Sequence, residues 1–493
     1  MRRGVKLLLQ KGRTRYNPKE AFILKKTMAI ETFDLFLLIV LSYYLFSTWY
    51  IGLIAALLIL LGIYAFRAYD LNNLVSYIEQ LIRVAAGSVL GWVLFQILLL
   101  FPGRIIQIAS LKMILISIIT LPIINWAITL IILKFAKRRK YVVLGSKAEH
   151  QSLINEISQK TLGLIQAHTY LNPDISKLGQ LLQELNDEIK ALEALNPDIS
   201  KLGQLLPQCD GVIIGQTFLN DKICEEINKL EPSGEVHYLP ELAERALKRI
   251  PLKSIGKHNK DYHIEANNET YSPAMRILDI LVSLIVLVIT SPLSLITTIA
   301  IYIKDGKPVI FKQTRVGKDG KHFAIYKFRS MQNTQLQEPK FADQEEERIT
   351  KVGKVIRKYR IDELPQFINV LKGDMSVVGP RPEQVEFTEE YLKTIPFYEY
   401  RLTVNPGITG WAQIMYKYSS NEEETIRKLK YDLWYIKNQG LLLDLKIMLQ
   451  TLEKILFTHF GKAQCEYKDV RYKDLNLGKT NTIITNLKER FER

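Results

Sequence analysis

Cysteine is scarce in this chain. Cys209, Cys224 and Cys465 are the three present in 493 residues, and no two stand in CxxC spacing. That excludes a disulfide framework and a cysteine-ligated zinc site, and a reducing compartment is expected. Zinc-finger spacing and an RNA-binding aromatic motif are also missing, so nucleic acid is not an expected partner. The first thirty residues hold one acid, Glu20, and are too polar for too long to be a cleaved signal peptide. Between Leu35 and Phe66 there is no charge at all. Later, where a strand runs into a helix, Gly145-Ser146-Lys147 stands in place of GxGxxG. The backbone cradle for a pyrophosphate is therefore absent.

Cations are what the chain has in excess. Lys and Arg number 66 against 51 acids, a formal net charge of +15. Together with long apolar runs, this excess favours lipid and phosphate as partners. Arg2, Arg3, Lys6, Lys11, Arg13, Arg15, Lys19, Lys25 and Lys26 place the N-terminal arm on the cytoplasmic side by the positive-inside rule. The run Leu35–Phe66 is too long for one span of about 20 residues. It fits two short spans with a turn near Ser47-Thr48-Trp49-Tyr50. Val84–Pro102 and Met113–Leu133 supply a third and a fourth, the last followed by Lys134, Lys137, Arg138, Arg139 and Lys140. Four spans return the chain to the side where it began.

The expected organisation is a basic arm with four transmembrane helices over 1–136, a Rossmann-like α/β domain over 137–265 and a catalytic domain over 266–493. In the middle domain Tyr141–Gly145, Asp210–Gly215 and Val236–Leu239 read as buried strands of a parallel, doubly wound sheet. LNPDISKLGQLL occurs twice, at Leu171–Leu182 and Leu195–Leu206. Two copies are too few for a solenoid, so a duplication that lengthens a surface helix or loop is expected.

Ile277–Ile303 is apolar and is interrupted by Ser291-Pro292. If this run crossed the membrane, the basic segment after it would lie outside. A helix near 275–303 that enters, breaks at Ser291-Pro292 and returns to the same face resolves the conflict; a proline-kinked fifth span is the alternative. In Phe323–Met331 apolar and polar residues alternate, which puts Lys327 and Arg329 on one strand face. That face suits phosphate contact or a solvated edge equally.

Arg357–Pro382 carries the chemistry. Its adjacent acids, Asp362 and Glu363, diverge by about 100° if helical. They cannot grip one atom together, but they can divide two roles, a nucleophile and a metal ligand. The same pair also reads as a helix N-terminal acid pair. The segment ends in Gly379-Pro380-Arg381-Pro382, a stiff turn that fixes where an arginine points. From Leu441 to Leu456 leucines recur at helical spacing, as they would on a membrane surface or on the helix's own domain.

The order of blocks resembles the polyprenyl-phosphate hexose-1-phosphate transferases, the monotopic phosphoglycosyl transferases or bacterial sugar transferases. The matching blocks are the run with Ser291-Pro292, Arg315-Val316-Gly317, Tyr326–Met331, Asp362–Gln366, Asn369–Ser376, Gly379–Pro382, Pro406–Gln413 and Leu443–Lys446. The first half is similar to the large members that initiate exopolysaccharide and O-antigen synthesis. The resemblance implies a membrane protein of mixed α and α/β class: a four-helix bundle, a Rossmann-like domain and an α+β catalytic domain with a re-entrant helix. It implies that Asp362 attacks the β-phosphorus of a UDP-sugar, that UMP leaves, and that undecaprenyl phosphate takes the phosphosugar from the aspartyl enzyme. Glu363 matches the family's Mg²⁺ ligand. Arg357 and Arg381 fall at phosphate- or nucleotide-binding arginines, while Lys327, Arg329 and Arg315 are expected to line the site. The implied location is the bacterial inner membrane, with the catalytic domain cytoplasmic, in contact with membrane lipid and as a homodimer. A catalytically silent scaffold of polysaccharide assembly is the rival. A transporter would need intramembrane charge pairs that the four spans lack.

Overall fold

The computed structural model describes residues 21–99, 103–171, 209–215, 235–252, 272–332, 348–416 and 422–457. The basic arm before residue 21, the duplicated segment beyond Leu171, Cys224 and Cys465 lie outside them. The chain divides into two compact units, Met1–Lys137 and Arg138–Arg493.

The first unit comprises α1 (Ala21–Leu45), α2 (Trp49–Ala65), the short α3 (Leu71–Val75), α4 (Tyr77–Leu98) and α5 (Arg104–Phe135). The expected hairpin is present, with Ser47 and Thr48 in its bend. Within α1, α4 and α5, Met28–Leu45, Tyr77–Leu98 and Arg104–Phe135 are long and apolar enough to cross a membrane; α2 is apolar but has 17 residues. At a rise of ~1.5 Å per residue α2 spans ~25 Å. The bundle exposes many large apolar residues, and its interior combines apolar side chains such as Ile59, Phe95 and Met113 with small and polar ones. Phe36, Tyr44, Trp49, Ile105 and Phe135 are exposed, while Ala55, Ala56, Ser88 and Asn125 are buried. An apolar exterior of this extent suits lipid contact. Helices α2 and α4 meet at Gly62, Gly87 and Gly91: a Cβ on Gly62 would lie 2.0 Å from the Gly87 carbonyl oxygen. Asp34, buried in α1, accepts hydrogen bonds from Tyr69 Oη at 2.8 Å and Asn125 Nδ2 at 2.7 Å.

The second unit opens with β1 (Arg139–Leu144), α6 (Lys147–Lys160), β2 (Ile165–Leu171), β3 (Gly211–Ile214), β4 (Glu235–Tyr238) and α7 (Leu239–Leu247). The strands form a parallel sheet in the order β2-β1-β3-β4. The sequence pattern located β1, β3 and β4 but not β2. Ile165–Leu171 alternates only weakly and includes His168 and Gln166, and it is partly buried along most of its length. Gly145 and Gly215 follow β1 and β3, where a parallel sheet offers its ligand crevice. His150 fills that place. A Cβ on Gly215 would lie 2.5 Å from its Nε2.

The unit continues with α8 (Pro273–Asp305), the antiparallel hairpin β5 (Ile310–Val316) and β6 (His322–Phe328), α9 (Lys351–Lys358), a 3₁₀ turn (Ile361–Glu363) and α10 (Gln366–Lys372). Then come β7 (Ser376–Val378), α11 (Val385–Thr394), a 3₁₀ helix (Tyr398–Thr403), β8 (Gly407–Thr409), α12 (Trp411–Met415), α13 (Glu422–Asn438) and α14 (Leu441–Phe457); β7 and β8 pair in parallel. One core joins β7, α11, α12, α13 and α14 through Val377, Tyr391, Trp411, Leu433 and Ile447, and it includes Ile250 just after α7. Trp411 donates its indole N–H to the Lys248 carbonyl at 2.9 Å, so this aromatic serves the core.

Helix α8 is one helical run of 33 residues with Pro292 inside it, so a turn at Ser291-Pro292 is made without leaving helical backbone. Pro292 cannot donate to the carbonyl of Val288, and Ser291 Oγ takes that acceptor at 2.8 Å. The stripe of α14 is divided: Leu449 is buried and Leu443 and Met448 pack on the core, while other leucines face outward. Asp444, Ile447, Gln450 and Glu453 are buried, whereas Leu441, Leu442, Leu445 and Leu452 are exposed.

Candidate active site

Local chain geometry delivers the acid pair. Helix α9 ends at Lys358, and Arg360 takes a left-handed conformation with φ 54°. A non-glycine residue in that region is uncommon and is often found at functional turns. The reversal starts the 3₁₀ turn on which Asp362 and Glu363 sit, both buried.

The two carboxyls have opposite surroundings. Glu363 Oε1 accepts from Arg381 Nη2 at 2.6 Å and lies 3.9 Å from Lys327 Nζ. Its Oε2 accepts from Arg360 Nη1 at 3.4 Å. Burial alone would raise the Glu363 pKa, but Arg381, Lys327 and Arg360 overcome it and hold the group well below the usual carboxylate range. Asp362 moves the other way. Burial, then the charge of Glu363, push it up to about 6 against the pull of Lys327, Arg357 and Arg381. Lys327 is pushed down to about 8, by burial first and then by Arg381.

Other elements fix this constellation. Asn369, fully buried on α10, accepts from Tyr326 N–H at 3.0 Å and donates to the Ala324 carbonyl at 2.8 Å. It pairs with β6 as a neighbouring strand would, and so fixes the strand that carries Lys327. The turn Gly379–Pro382 packs backbone to backbone on the loop around β8. A Cβ on Gly407 would lie 2.1 Å from Gly379 N, and one on Gly410 2.2 Å from Gly379 O.

Of the residues expected here, Asp362, Glu363, Lys327 and Arg381 come together, and Arg357 contributes its charge to Asp362 from the last turn of α9. Arg329 lies elsewhere. Strand β6 ends at Phe328, the alternation stops, and the Arg329 guanidinium turns to the carbonyls of Asp305, Gly306 and Lys307 at the end of α8. Arg315 donates to the Pro382 carbonyl at 3.3 Å and to Gln313 Oε1 at 2.6 Å, and its charge adds to the downward push on Lys327. Ser291 and Pro292 lie in the middle of α8, away from both of its anchored ends. Sequence patterns missed Arg360 as a partner of Glu363. They also missed Asn369 and the buried group Arg401, Glu383, Lys428 and Asp432. Only the position of Asn369 inside a matching block hinted at any of these.

Both ends of α8 are held by the same domain. Near its start Arg276 donates to the carbonyls of Val370 and Leu371 at 2.6 and 2.8 Å, and Asp279 accepts from Val377 N–H at 2.9 Å. At its end Asp305 accepts from Thr350 Oγ1 at 2.9 Å, and Ile301 packs on Phe328 and Ile356. Between these anchors Val288, Ile289, Leu295 and Ile296 are exposed.

Comparison with known proteins places this geometry. The bacterial sugar transferase model matches residues 270–458. The uncharacterized sugar transferase EpsL of Bacillus subtilis is 42% identical over 181 residues, covering 37% of this chain and 86% of that protein. The chain belongs to the bacterial sugar transferase family. The UDP-N-acetylgalactosamine-undecaprenyl-phosphate N-acetylgalactosaminephosphotransferase of Aeromonas hydrophila is 44% identical over 227 residues, 46% of this chain and 53% of its own. A UDP-glucose:undecaprenyl-phosphate glucose-1-phosphate transferase of Klebsiella pneumoniae is 43% identical over 182 residues, 36% of this chain and 39% of its own. The chain thus matches about half or less of the length of these two relatives. The matched family segment carries Asp362, Glu363, Lys327 and Arg381.

Proposed function

We propose that this bacterial sugar transferase moves a hexose-1-phosphate from a UDP-sugar to undecaprenyl phosphate and releases UMP, as the initiating step of exopolysaccharide, capsule or O-antigen synthesis. The observation that carries the reading is the electrostatic split of one acid pair, with Glu363 clamped by cations and Asp362 buried and held up to about 6. Pairs of carboxyls pushed apart in this way divide chemical roles.

Asp362 is the nucleophile. At neutral pH its carboxylate is present but poorly stabilised, which favours attack. One oxygen bonds to the β-phosphorus, the bond from that phosphorus to the oxygen bridging the α-phosphate breaks, and UMP leaves with the bridging oxygen. A phosphate oxygen of undecaprenyl phosphate then attacks the aspartyl-bound phosphorus, which frees the Asp362 carboxylate and yields sugar-diphospho-undecaprenol. Arg381 and Lys327 stand beside the acid pair and offset charge that builds on the phosphoryl oxygens.

The donor set fits Mg²⁺ rather than a metal held by protein alone. No group of three acids, imidazoles or thiols that could hold a metal occurs among the described residues, and Mg²⁺ takes one or two carboxylates together with substrate phosphates. Glu363 Oε2, held by a 3.4 Å contact to the partly exposed Arg360, is the atom such an ion would use. Bound there, Mg²⁺ would neutralise the diphosphate of the donor.

The placement of α8 supports a re-entrant helix on a cytoplasmic catalytic domain at an inner membrane. One domain holds both ends, so an apolar middle that enters the bilayer must come back to the face it left. The exposed leucines of α14 suit the same surface. A lipid phosphate lies at that depth, as its nucleophile must.

The test is UMP release across a panel of UDP-sugars with undecaprenyl phosphate and Mg²⁺. Release with at least one sugar is expected from the unmodified protein and none from Asp362→Asn, with equal amounts of both in the membrane fraction. Full-rate release from Asp362→Asn would sink the nucleophile assignment.

A further inference from the structure

Arg381 reaches Glu363 from a turn that has few donors of its own, since Pro380 and Pro382 have no N–H. What that turn has instead is a complete set of carbonyl partners. Pro380 O accepts from Gly407 N–H at 2.9 Å. Arg381 O accepts from Arg401 Nη2 at 3.0 Å. Pro382 O accepts from Arg315 Nη1 at 3.3 Å, and Glu383 O from Val316 N–H at 3.3 Å. Four consecutive carbonyls are thus held from β8, from the 3₁₀ helix Tyr398–Thr403 and from β5.

We propose that Arg401 is a positioning residue for the transfer reaction, a buried strut that aims the Arg381 guanidinium by holding the carbonyl of Arg381. The inference rests on the reading above, in which Arg381 serves the transfer site. Arg401 does not touch the acid pair. Its Nε donates to Asp432 Oδ2 at 2.9 Å and its Nη1 to Tyr398 Oη at 2.6 Å. The side chains of Arg401 and Asp432 are 6% and 3% exposed. Glu383 Oε1 lies 3.8 Å from Arg401 Nη2 and accepts from Lys428 Nζ at 2.5 Å. The guanidinium therefore ties α13 and its own 3₁₀ helix rigidly to one backbone atom of the turn. A planar fork can make these contacts at once, and a lysine ammonium cannot. Small displacements of an oriented group cost large factors in rate, so a strut of this kind matters out of proportion to its distance from the acids.

The test is a double-mutant cycle on the full-length protein, with UMP release as readout. Arg381→Ala is expected to lower kcat by roughly a hundredfold. Arg401→Lys should lower it about tenfold or more when Arg381 is present and by less than about twofold in the Arg381→Ala background. Purely structural damage would take the same factor from both. If Arg401→Lys does not accumulate in membranes, the pair Arg401→Gln with Asp432→Asn leaves neither partner charged and enters the same cycle. Equal factors in both backgrounds, or no effect in either, would overturn the inference and leave the transfer reading in place. Unchanged UMP release from Arg381→Ala would instead overturn the reading on which it rests.

Discussion

At the residue scale, one acid pair is split by its environment. Glu363 is surrounded by Arg381, Lys327 and Arg360, whereas Asp362 has burial and a neighbouring anion against it. Glu363→Gln keeps the shape but weakens both the cation clamp and any metal contact. The Mg²⁺ concentration for half-maximal UMP release should rise severalfold, and an unchanged titration would count against the ligand role. A second residue gives a pH prediction. Asp444 is buried on α14, accepts from Tyr435 Oη at 2.8 Å and faces Asp279 of α8. Burial, then Asp279, raise it to about 7 against the pull of the Tyr435 bond. The folded protein therefore holds a proton that the unfolded chain has lost above about pH 4. Stability attributable to this group is present at low pH and declines as pH rises from about 4 to 7. Asp444→Asn keeps the acceptor and removes the ionisation. It should raise the melting temperature at pH 8 more than at pH 5, with an upper limit of ~4 kcal/mol. Asp362, Glu363, Arg381 and Lys327 were legible because motif and charge mark them. Where the Arg329 side chain goes was not legible, because alternation says which strand face a residue takes, not where a long side chain reaches once the strand ends.

At the scale of elements, two contacts position the site. Asn369 replaces a strand neighbour for β6, and Asn369→Ala leaves the Tyr326 N–H and the Ala324 carbonyl without their partner. A loss of about 1–3 kcal/mol in stability is expected, measurable as a lower melting temperature with activity falling in parallel. The glycine contact between the Gly379–Pro382 turn and β8 is less forgiving, because its neighbours are backbone atoms. A Cβ on Gly407 at 2.1 Å from Gly379 N cannot be relieved by a rotamer change. Gly407→Ala should abolish UMP release and sharply reduce the folded protein recovered from membranes, whereas Gly440→Ala, with open space at its Cβ, should do neither. The hairpin α1–α2 and the start of α6 were readable from local pattern. The burial of Asp444, Gln450 and Glu453 on α14 was not, because a helix with leucines on one side and these residues on another reads as amphipathic in the ordinary sense. Only its neighbours show that these polar groups lie inside with Ile447 and Leu449.

At the scale of the molecule, each unit carries its own relation to lipid. The first presents large apolar side chains outward, with a few polar groups such as Asp34, Ser88 and Asn125 inside. The second holds both ends of α8 on one body and leaves the apolar middle exposed. With the native cysteines replaced by serine, single cysteines at Ser272 and Lys307 should react with an impermeant maleimide from the same side of sealed vesicles. Labelling from opposite sides would make α8 a true span. The sequence alone determined the apolar runs, the basic flanks, the family blocks and the identity of the acid pair, because composition, period and spacing are local properties. The tertiary structure alone decided which cations reach Glu363, that Arg329 and Arg315 hold backbone carbonyls, and that both ends of α8 contact one domain. Those outcomes depend on partners far apart in sequence, such as Arg381 with Arg401 and Arg276 with Val370, and no local pattern encodes the direction of a side chain across such a distance.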